Sequence, residues 1–219
     1  MVVEHQFAGD FEAHMTVRLP SDESRLVELA AARDLRYTRI VLDRGAVPDQ
    51  PMLTFTVSGT RADAIRAVEA HARALTGAGF CLARTKIEAS PFNEEIPETA
   101  EEAAALPAGC YFEHHIKLVL DGAADAMRVR ALVEPHAAHV SRNARRSAGH
   151  GRHERFVTQR AYGVGLPEAG ERLAALLADL AAAGFAAIEL EREFVVHDDH
   201  PVLDAGWITE SVAVVHDRG

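Results

Sequence analysis

The chain has 219 residues, of which 48% are hydrophobic and 26% charged, a composition typical of a soluble globular protein. The formal net charge of −10 argues against general nucleic-acid binding, which requires a basic face for phosphate contacts. No apolar stretch approaches the roughly 20 residues that span a bilayer. The two cysteines, Cys81 and Cys110, form no CxxC motif, and the first residues lack the pattern of a signal peptide. We therefore expect a cytoplasmic protein with no membrane partner.

In the first half of the chain, alternating hydrophobicity and turn-forming residues predict four strands and two helices. The predicted strands cover residues 11–19, 37–43, 52–59 and 80–89. Ser21 is the predicted N-cap of a helix over residues 22–34. Thr60 is the predicted N-cap of a second helix, which ends at Gly79 as helices commonly end at a C′ glycine.

A linker then separates the first half from a second half with the same order of elements. The linker, residues 91–109, is rich in Pro, Glu and Ala and contains a predicted short helix at 98–105. The predicted strands that follow cover residues 110–120, 138–145, 154–162 and 185–196. The predicted helices cover residues 122–134 and 167–183, and the second has a leucine stripe formed by Leu173, Leu176, Leu177 and Leu180. We expect the tail to pack on the body or to add an edge strand.

Two sequence matches indicate that the halves are repeats. FEAHMTVRL at 11–19 matches FEHHIKLVL at 112–120, and LTGAGF at 75–80 matches LAAAGF at 180–185. The element order β-α-β-β-α-β is that of a ferredoxin-like unit. The sequence therefore predicts an α+β fold made by tandem duplication of ferredoxin-like repeats with antiparallel sheets. The predicted boundaries are residues 1–90 for repeat one, 91–109 for the linker, 110–200 for repeat two and 201–219 for the tail.

The alternation of the first strand of each repeat separates an apolar face from a polar one, because alternate residues of a strand share a face. If the apolar residues contact the helices, Glu12 and His14 lie on the helix-free face. In the second repeat, Glu113, His115 and Lys117 lie on the equivalent face. We therefore predict a polar cleft between or beside the two sheets.

A Glu and a His at positions i and i+2 of a strand can both reach one metal ion. The predicted metal ligands are Glu12, His14, Glu113 and His115. Mixed imidazole and carboxylate ligands suit Zn²⁺, Fe²⁺ or Mn²⁺. The alternative is a solvated strand face, and the repetition does not decide between them, because duplication copies residues whatever their role.

Two further histidine-containing segments are weaker candidates for metal binding. The HDDH run at 197–200 is interpreted mainly as a solvated turn. His150 and His153 lie in a segment rich in Gly and Arg that is typical of a flexible loop.

The same cleft is predicted to contain groups that bind an anion. Basic candidates for its lining are Arg84, Lys86, Lys117, Arg145 and Arg160. Within this hypothesis Arg84, Lys86, Ser141 and Asn143 bind the substrate, and His14, His115, Lys117 and Arg160 are the catalytic candidates. The alternative, slightly preferred, is that these cations pair across strands with Glu88, Glu191 and Glu193.

The leading functional hypothesis is a small-molecule enzyme or binding protein whose cleft contains a divalent metal and accepts a small anionic molecule. A first alternative is a non-catalytic module that uses its open Glu/His face for homodimerisation or partner binding. A second is a phosphodiester hydrolase, because HMT at 14–16 resembles the H-x-T motif of the 2H phosphoesterases. The equivalent residues in repeat two are His115, Ile116 and Lys117, which lack the second hydroxyl of that motif.

Four segments resemble a family of uncharacterised bacterial and eukaryotic proteins with two tandem ferredoxin-like repeats. The pattern is FExHxT, KIEA-P-N, YFE-H-K and, after a late acidic strand, D-x-GW. The matching segments are residues 11–16, 86–97, 111–117 and 191–207, so the resemblance spans most of the chain. It implies the two-repeat fold but no activity.

Overall fold

A computed structural model describes residues 5–144 and 152–207 of the chain. The eight strands of this described part are β1 Gly9–Val17, β2 Arg36–Leu42, β3 Asp49–Gly59, β4 Leu82–Ala89, β5 Tyr111–Leu120, β6 Ala138–Asn143, β7 His153–Tyr162 and β8 Ala187–Asp198. Its α-helices are α1 Glu23–Ala31, α2 Arg61–Gly77, α3 Ala100–Ala105, α4 Ala123–Val133 and α5 Leu166–Ala182. Short 3₁₀ turns lie at Glu134–His136 and Pro201–Asp204. No helix in the described residues has the length and hydrophobicity needed to cross a membrane.

Local side-chain chemistry determines where the first two helices begin. Thr60 caps α2, as predicted, and forms a reciprocal capping box with Asp63. The prediction for α1 was wrong by one residue, because the side chain of Asp22, and not that of Ser21, accepts the hydrogen bond of a backbone N–H in the first turn. Helix α1 also ends earlier than predicted, at Ala31.

The eight strands form one closed antiparallel barrel in the order β1-β3-β2-β6-β7-β5-β8-β4. The first unit (β1–β4 with α1 and α2) and the second unit (β5–β8 with α4 and α5) have the same internal strand order. This observation confirms the predicted α+β fold of two tandem ferredoxin-like units with antiparallel sheets. The units join at two short seams, β2 against β6 over residues 40–42, and β4 against β8 over residues 86–89.

The helices lie outside the barrel and pack on the apolar faces of the strands. In the first unit, Ala13 and Met15 of β1 are fully buried in the core beneath the helices. In the second, Leu176 of α5 packs with Ile116 of β5 in a separate core cluster. With the apolar faces directed outward against helices, the polar faces of both sheets form the inner wall of the barrel.

The chain after β8 closes part of the barrel interior. Asp204, at the end of the 3₁₀ turn, is 4% exposed and directs its carboxylate toward arginines of both units. The ring nitrogen of Trp207 donates a hydrogen bond to the carbonyl oxygen of Val140, and the indole packs on Leu42. Residues 208–219, which contain the rest of the predicted tail, and Arg145 and His150 lie outside the described residues.

Candidate functional site

The barrel encloses a cavity of about 230 Å³. It is lined by most of the side chains predicted to form a site: Glu12, His14, Arg84, Lys86, Glu113, His115, Ser141 and Arg160. The polar cleft therefore lies between the two sheets, which together form a single barrel. A less polar part of the lining comes from Ile40, Leu42, Met52, Phe156 and Trp207.

The first Glu/His pair is held by neighbouring strands of the first unit. His14 Nδ1 lies 2.9 Å from the hydroxyl of Thr54, the residue paired with His14 across β1 and β3. His14 Nε2 lies 2.5 Å from Glu88 and 3.6 Å from Glu12. One ring nitrogen is therefore fixed by a hydroxyl, while the other faces two carboxylates.

The second unit repeats this arrangement around His115. The Nδ1 atom lies 3.0 Å from the hydroxyl of Thr158, the residue paired with His115 across β5 and β7. Its Nε2 atom lies 3.1 Å from Glu113 and 3.5 Å from Glu193. Burial opposes charge on the imidazole, but the hydrogen bond and negative charge of Glu113 outweigh it and raise the pKa of His115.

Glu88 lies between the two histidine arrangements. Its side chain is fully buried, and it belongs to two sets of residues whose potential ligand atoms all lie within 4.8 Å of one another. The first set is Glu12, His14 and Glu88, and the second is Glu88, His115 and Glu193. The sequence pattern predicted Glu88 and Glu193 as ion-pair partners of the cations and not as metal ligands, although both lie on the inner face of the barrel.

The cationic side chains of the cavity have carboxylate partners. Lys86 Nζ lies 2.6 Å from Glu88 and 2.6 Å from Glu113. Arg160 lies 2.5 Å from Glu113 and 2.7 Å from Asp204. Although burial opposes its charged form, the carboxylates of Glu113 and Glu88 raise the pKa of Lys86, which stays protonated.

Arg84 is likewise paired with carboxylates, one at the last residue of β8 and one in the 3₁₀ turn that follows it. Its guanidinium forms a fork with Asp198, at 2.8 and 2.5 Å, and also contacts Asp204 at 2.8 Å. The pairing with Asp204 was not predicted, because the 3₁₀ turn that positions this residue gives no signal in the hydrophobic pattern. Arg84, Lys86 and Arg160 are therefore all paired with carboxylates, and none of the three is free to bind an anionic ligand.

Glu193 differs from Glu88 and Glu113 in the charges that surround it. Among the described residues, it forms an ion pair with His115, whose Nε2 atom lies 3.5 Å from Oε2 of Glu193. Burial and the negative charges of Glu88, Glu12 and Glu113 raise the pKa of Glu193 well above its usual value. By contrast, although burial opposes its ionised form, Arg160 and Lys86 hold the pKa of Glu113 well below the usual range. A carboxylate that is surrounded by other carboxylates favours either a proton or a bound cation.

Two predicted site residues do not line the cavity. Lys117 lies farther along β5, where its Nζ atom is 3.2 Å from Glu189 and 3.5 Å from Glu154. Asn143 is the last residue of β6, next to the β2 seam, whereas Ser141 lies farther in and does line the cavity. For both residues strand alternation predicted the correct face but not the depth along the barrel.

The HDDH run has structural partners in the described residues. Asp198 holds Arg84, Asp199 accepts hydrogen bonds from the backbone and hydroxyl of Thr85, and His200 Nδ1 contacts the carbonyl oxygen of Ala83. The run therefore anchors the end of β8 to β4. His153 is the first residue of β7 and is exposed, away from the cavity.

Similarity to known proteins is confined to weak structural likeness. No protein-family model matches the sequence, and no curated protein is significantly similar to it. The small subunit of acetolactate synthase from Thermotoga maritima aligns over 85% of this chain and 94% of its own, at 15% identity and a TM-score of 0.30. A variant of chlorite dismutase from Candidatus Nitrospira defluvii aligns over 90% of this chain and 93% of its own, at 13% identity and a TM-score of 0.29. TM-scores this low do not indicate a function for this chain.

Proposed function

We propose that this protein is a small-molecule enzyme or binding protein whose barrel holds a divalent cation, of the Zn²⁺, Fe²⁺ or Mn²⁺ class, on carboxylate and imidazole ligands. The observation that carries the proposal is the arrangement of His14 and His115, each fixed at Nδ1 by a threonine and facing carboxylates with Nε2. Fixing the other ring nitrogen by a hydrogen bond is how proteins orient a histidine toward a metal.

The charge of the cavity supports a cation in preference to an anion. Arg84, Lys86 and Arg160 are each neutralised by carboxylates, whereas Glu193 faces other carboxylates. Removing a carboxylate from water is costly unless a positive charge compensates it. In the enzymatic form of the proposal, a metal in this position would supply Lewis-acid chemistry. The apolar lining near Phe156 and Trp207 would contact the organic part of a small substrate.

The closed barrel argues against the Glu/His face as a surface for another protein. That face forms the inner wall of the cavity, and His14 is 8% exposed and Glu113 is 1% exposed. A second copy of the chain could not contact these residues without opening the barrel. His14 and Thr16 of the H-x-T segment line the cavity, but the phosphodiester hydrolase alternative also requires a hydroxyl at residue 117, which is a lysine outside the cavity lining.

Metal analysis of protein purified without a metal-affinity tag tests the proposal. We expect at least one equivalent of a divalent cation per chain, or uptake by chelator-treated protein with submicromolar affinity. His14→Gln and His115→Gln should each reduce the bound metal. The matched control is His114→Gln, which changes the adjacent residue of β5 on the helix-covered face and should leave metal content unchanged. If the wild-type protein binds no divalent cation, or if both site variants retain it fully, the proposal is wrong.

A further inference from the structure

The candidate metal site contains two overlapping ligand sets rather than one. Glu12 and His14 complete the first set, His115 and Glu193 complete the second, and Glu88 belongs to both. We infer that the barrel binds two divalent cations, one on each set, with the Glu88 carboxylate as a bridge between them. This inference rests on the proposed function and extends it from a single cation to a pair.

The histidines and the fourth-strand glutamates of the two sets occupy equivalent positions in the two units, whereas Glu12 has no counterpart in the second set. His14 lies on the first strand of its unit and His115 on the first strand of the other, and Glu88 and Glu193 lie on the fourth strands. The supporting threonines, Thr54 and Thr158, are the cross-strand partners of the two histidines. Each unit therefore supplies one oriented imidazole and one carboxylate from a fourth strand, of which Glu88 is buried and Glu193 is partly buried.

A single ion would use only part of this arrangement. First-row divalent cations hold nitrogen and oxygen ligands at about 2.0–2.2 Å, so two ligand atoms of one ion are at most about 4.4 Å apart. In the described residues, neither of the two ligand sets contains both histidines. One ion would therefore leave the other imidazole without a metal. The separations of His14 Nε2 from Glu12, 3.6 Å, and of His115 Nε2 from Glu193, 3.5 Å, already fall within the range for two ligands of one ion.

The two oxygens of Glu88 contact different neighbours. Its Oε2 atom lies 2.5 Å from His14 Nε2, and its Oε1 atom lies 2.6 Å from Lys86 Nζ. The second cation competes with Lys86 for Oε1. The ammonium group can remain paired when it loses this contact, because Glu113 lies 2.6 Å from it on the other side. Lys86 thus places one positive charge beside both Glu88 and Glu113.

Titration of chelator-treated, tag-free protein with Mn²⁺ tests the inference, with bound metal counted at equilibrium and electron paramagnetic resonance recorded at saturation. We expect two ions per wild-type chain and a signal of two spin-coupled ions. His14→Gln and His115→Gln should each retain one ion and lose the coupling. Glu88→Gln should weaken both sites by at least tenfold. The melting temperature of each metal-free variant identifies any that fails to fold, and His14→Asn and His115→Asn provide second variants at the same positions.

The possible outcomes separate this inference from the proposed function. One ion per chain in the wild-type protein, lost completely in either histidine variant, would establish a single shared centre and overturn the two-ion inference alone. Two uncoupled ions that are insensitive to Glu88→Gln would overturn the bridge. No bound ion in the wild-type protein would overturn both the inference and the proposed function.

Discussion

His139 shows how a single buried residue outside the candidate site can make stability depend on pH. Its side chain is 3% exposed, lies 3.2 Å from Arg44 through Nδ1 and packs near Trp207. Burial and the positive charge of Arg44 lower the pKa of His139 from 6.5 to about 4. The folded protein therefore keeps this imidazole neutral at pH values where the unfolded chain protonates it.

The consequence is a loss of stability on acidification. Between pH 6.5 and 4 the unfolded state binds more protons than the folded state, so the free energy of unfolding falls as the pH falls, by up to about 3 kcal/mol from this group. His139→Gln should make the pH dependence shallower over that interval, measured by urea unfolding in metal-free buffer at several pH values. Equal slopes for the variant and the wild-type protein would show that His139 is not responsible.

At the scale of elements, the linker docks against the start of α5. The N–H of Leu166 donates to the carbonyl oxygen of Pro97 at 2.8 Å, and the adjacent Gly165 caps the helix. A Cβ atom placed on Gly165 would lie 2.1 Å from the carbonyl oxygen of Glu98. This distance is much shorter than a van der Waals contact. The absence of a side chain at residue 165 therefore permits this close approach of two backbones.

Alanine substitutions at the N-cap and in the interior of α5 should have different effects on stability. Gly165→Ala should lower the free energy of unfolding by about 1–3 kcal/mol, because linker and helix must separate. Gly170→Ala is the matched control, since the nearest atom to its Cβ would be the end of the Arg192 side chain at 3.9 Å. The control should be neutral or stabilising by up to about 1 kcal/mol, as alanine favours a helix interior. Equal effects in thermal or urea unfolding would contradict the close linker contact.

At the scale of the whole molecule, the barrel interior is held together by charges from both units. Glu113 of the second unit pairs with Lys86 of the first and with Arg160 of its own. Asp204, after β8, pairs with Arg84 of the first unit and with Arg160. The network therefore joins the two units inside the barrel, between backbone seams that each span only a few residue pairs.

Removal of one member of the network should therefore destabilise the whole fold. Glu113→Gln leaves two buried cations with one carboxylate fewer each, and we expect a loss of about 3–5 kcal/mol. Glu168→Gln is the control, because its ion pair with Arg172 is about half exposed and should contribute less than about 1 kcal/mol. Both are measured by urea unfolding with a chelator present, so that metal binding does not enter the comparison. A loss at Glu113 no larger than that at Glu168 would show that the network is not important for stability.

Local sequence patterns predicted the order of the strands and helices and the face on which the site residues of β1 and β5 lie. Alternation within β1 and β5 is a local property, so it correctly predicted that Glu12, His14, Glu113 and His115 lie on the face without helices. The cap at Thr60 and the order of the elements are local in the same sense. These features sufficed for the two-unit ferredoxin-like fold and for most of the cavity lining.

How the two polar faces meet is visible only in the tertiary structure. Closure of the barrel depends on pairing between strands far apart in the sequence, which no local pattern encodes. That closure places Glu88 between two histidines, pairs the predicted anion-binding cations with carboxylates, and leaves Lys117 outside the cavity lining. The physical reason is that alternation specifies the direction of a side chain, whereas its neighbours in a barrel depend on strand order and register across the whole chain.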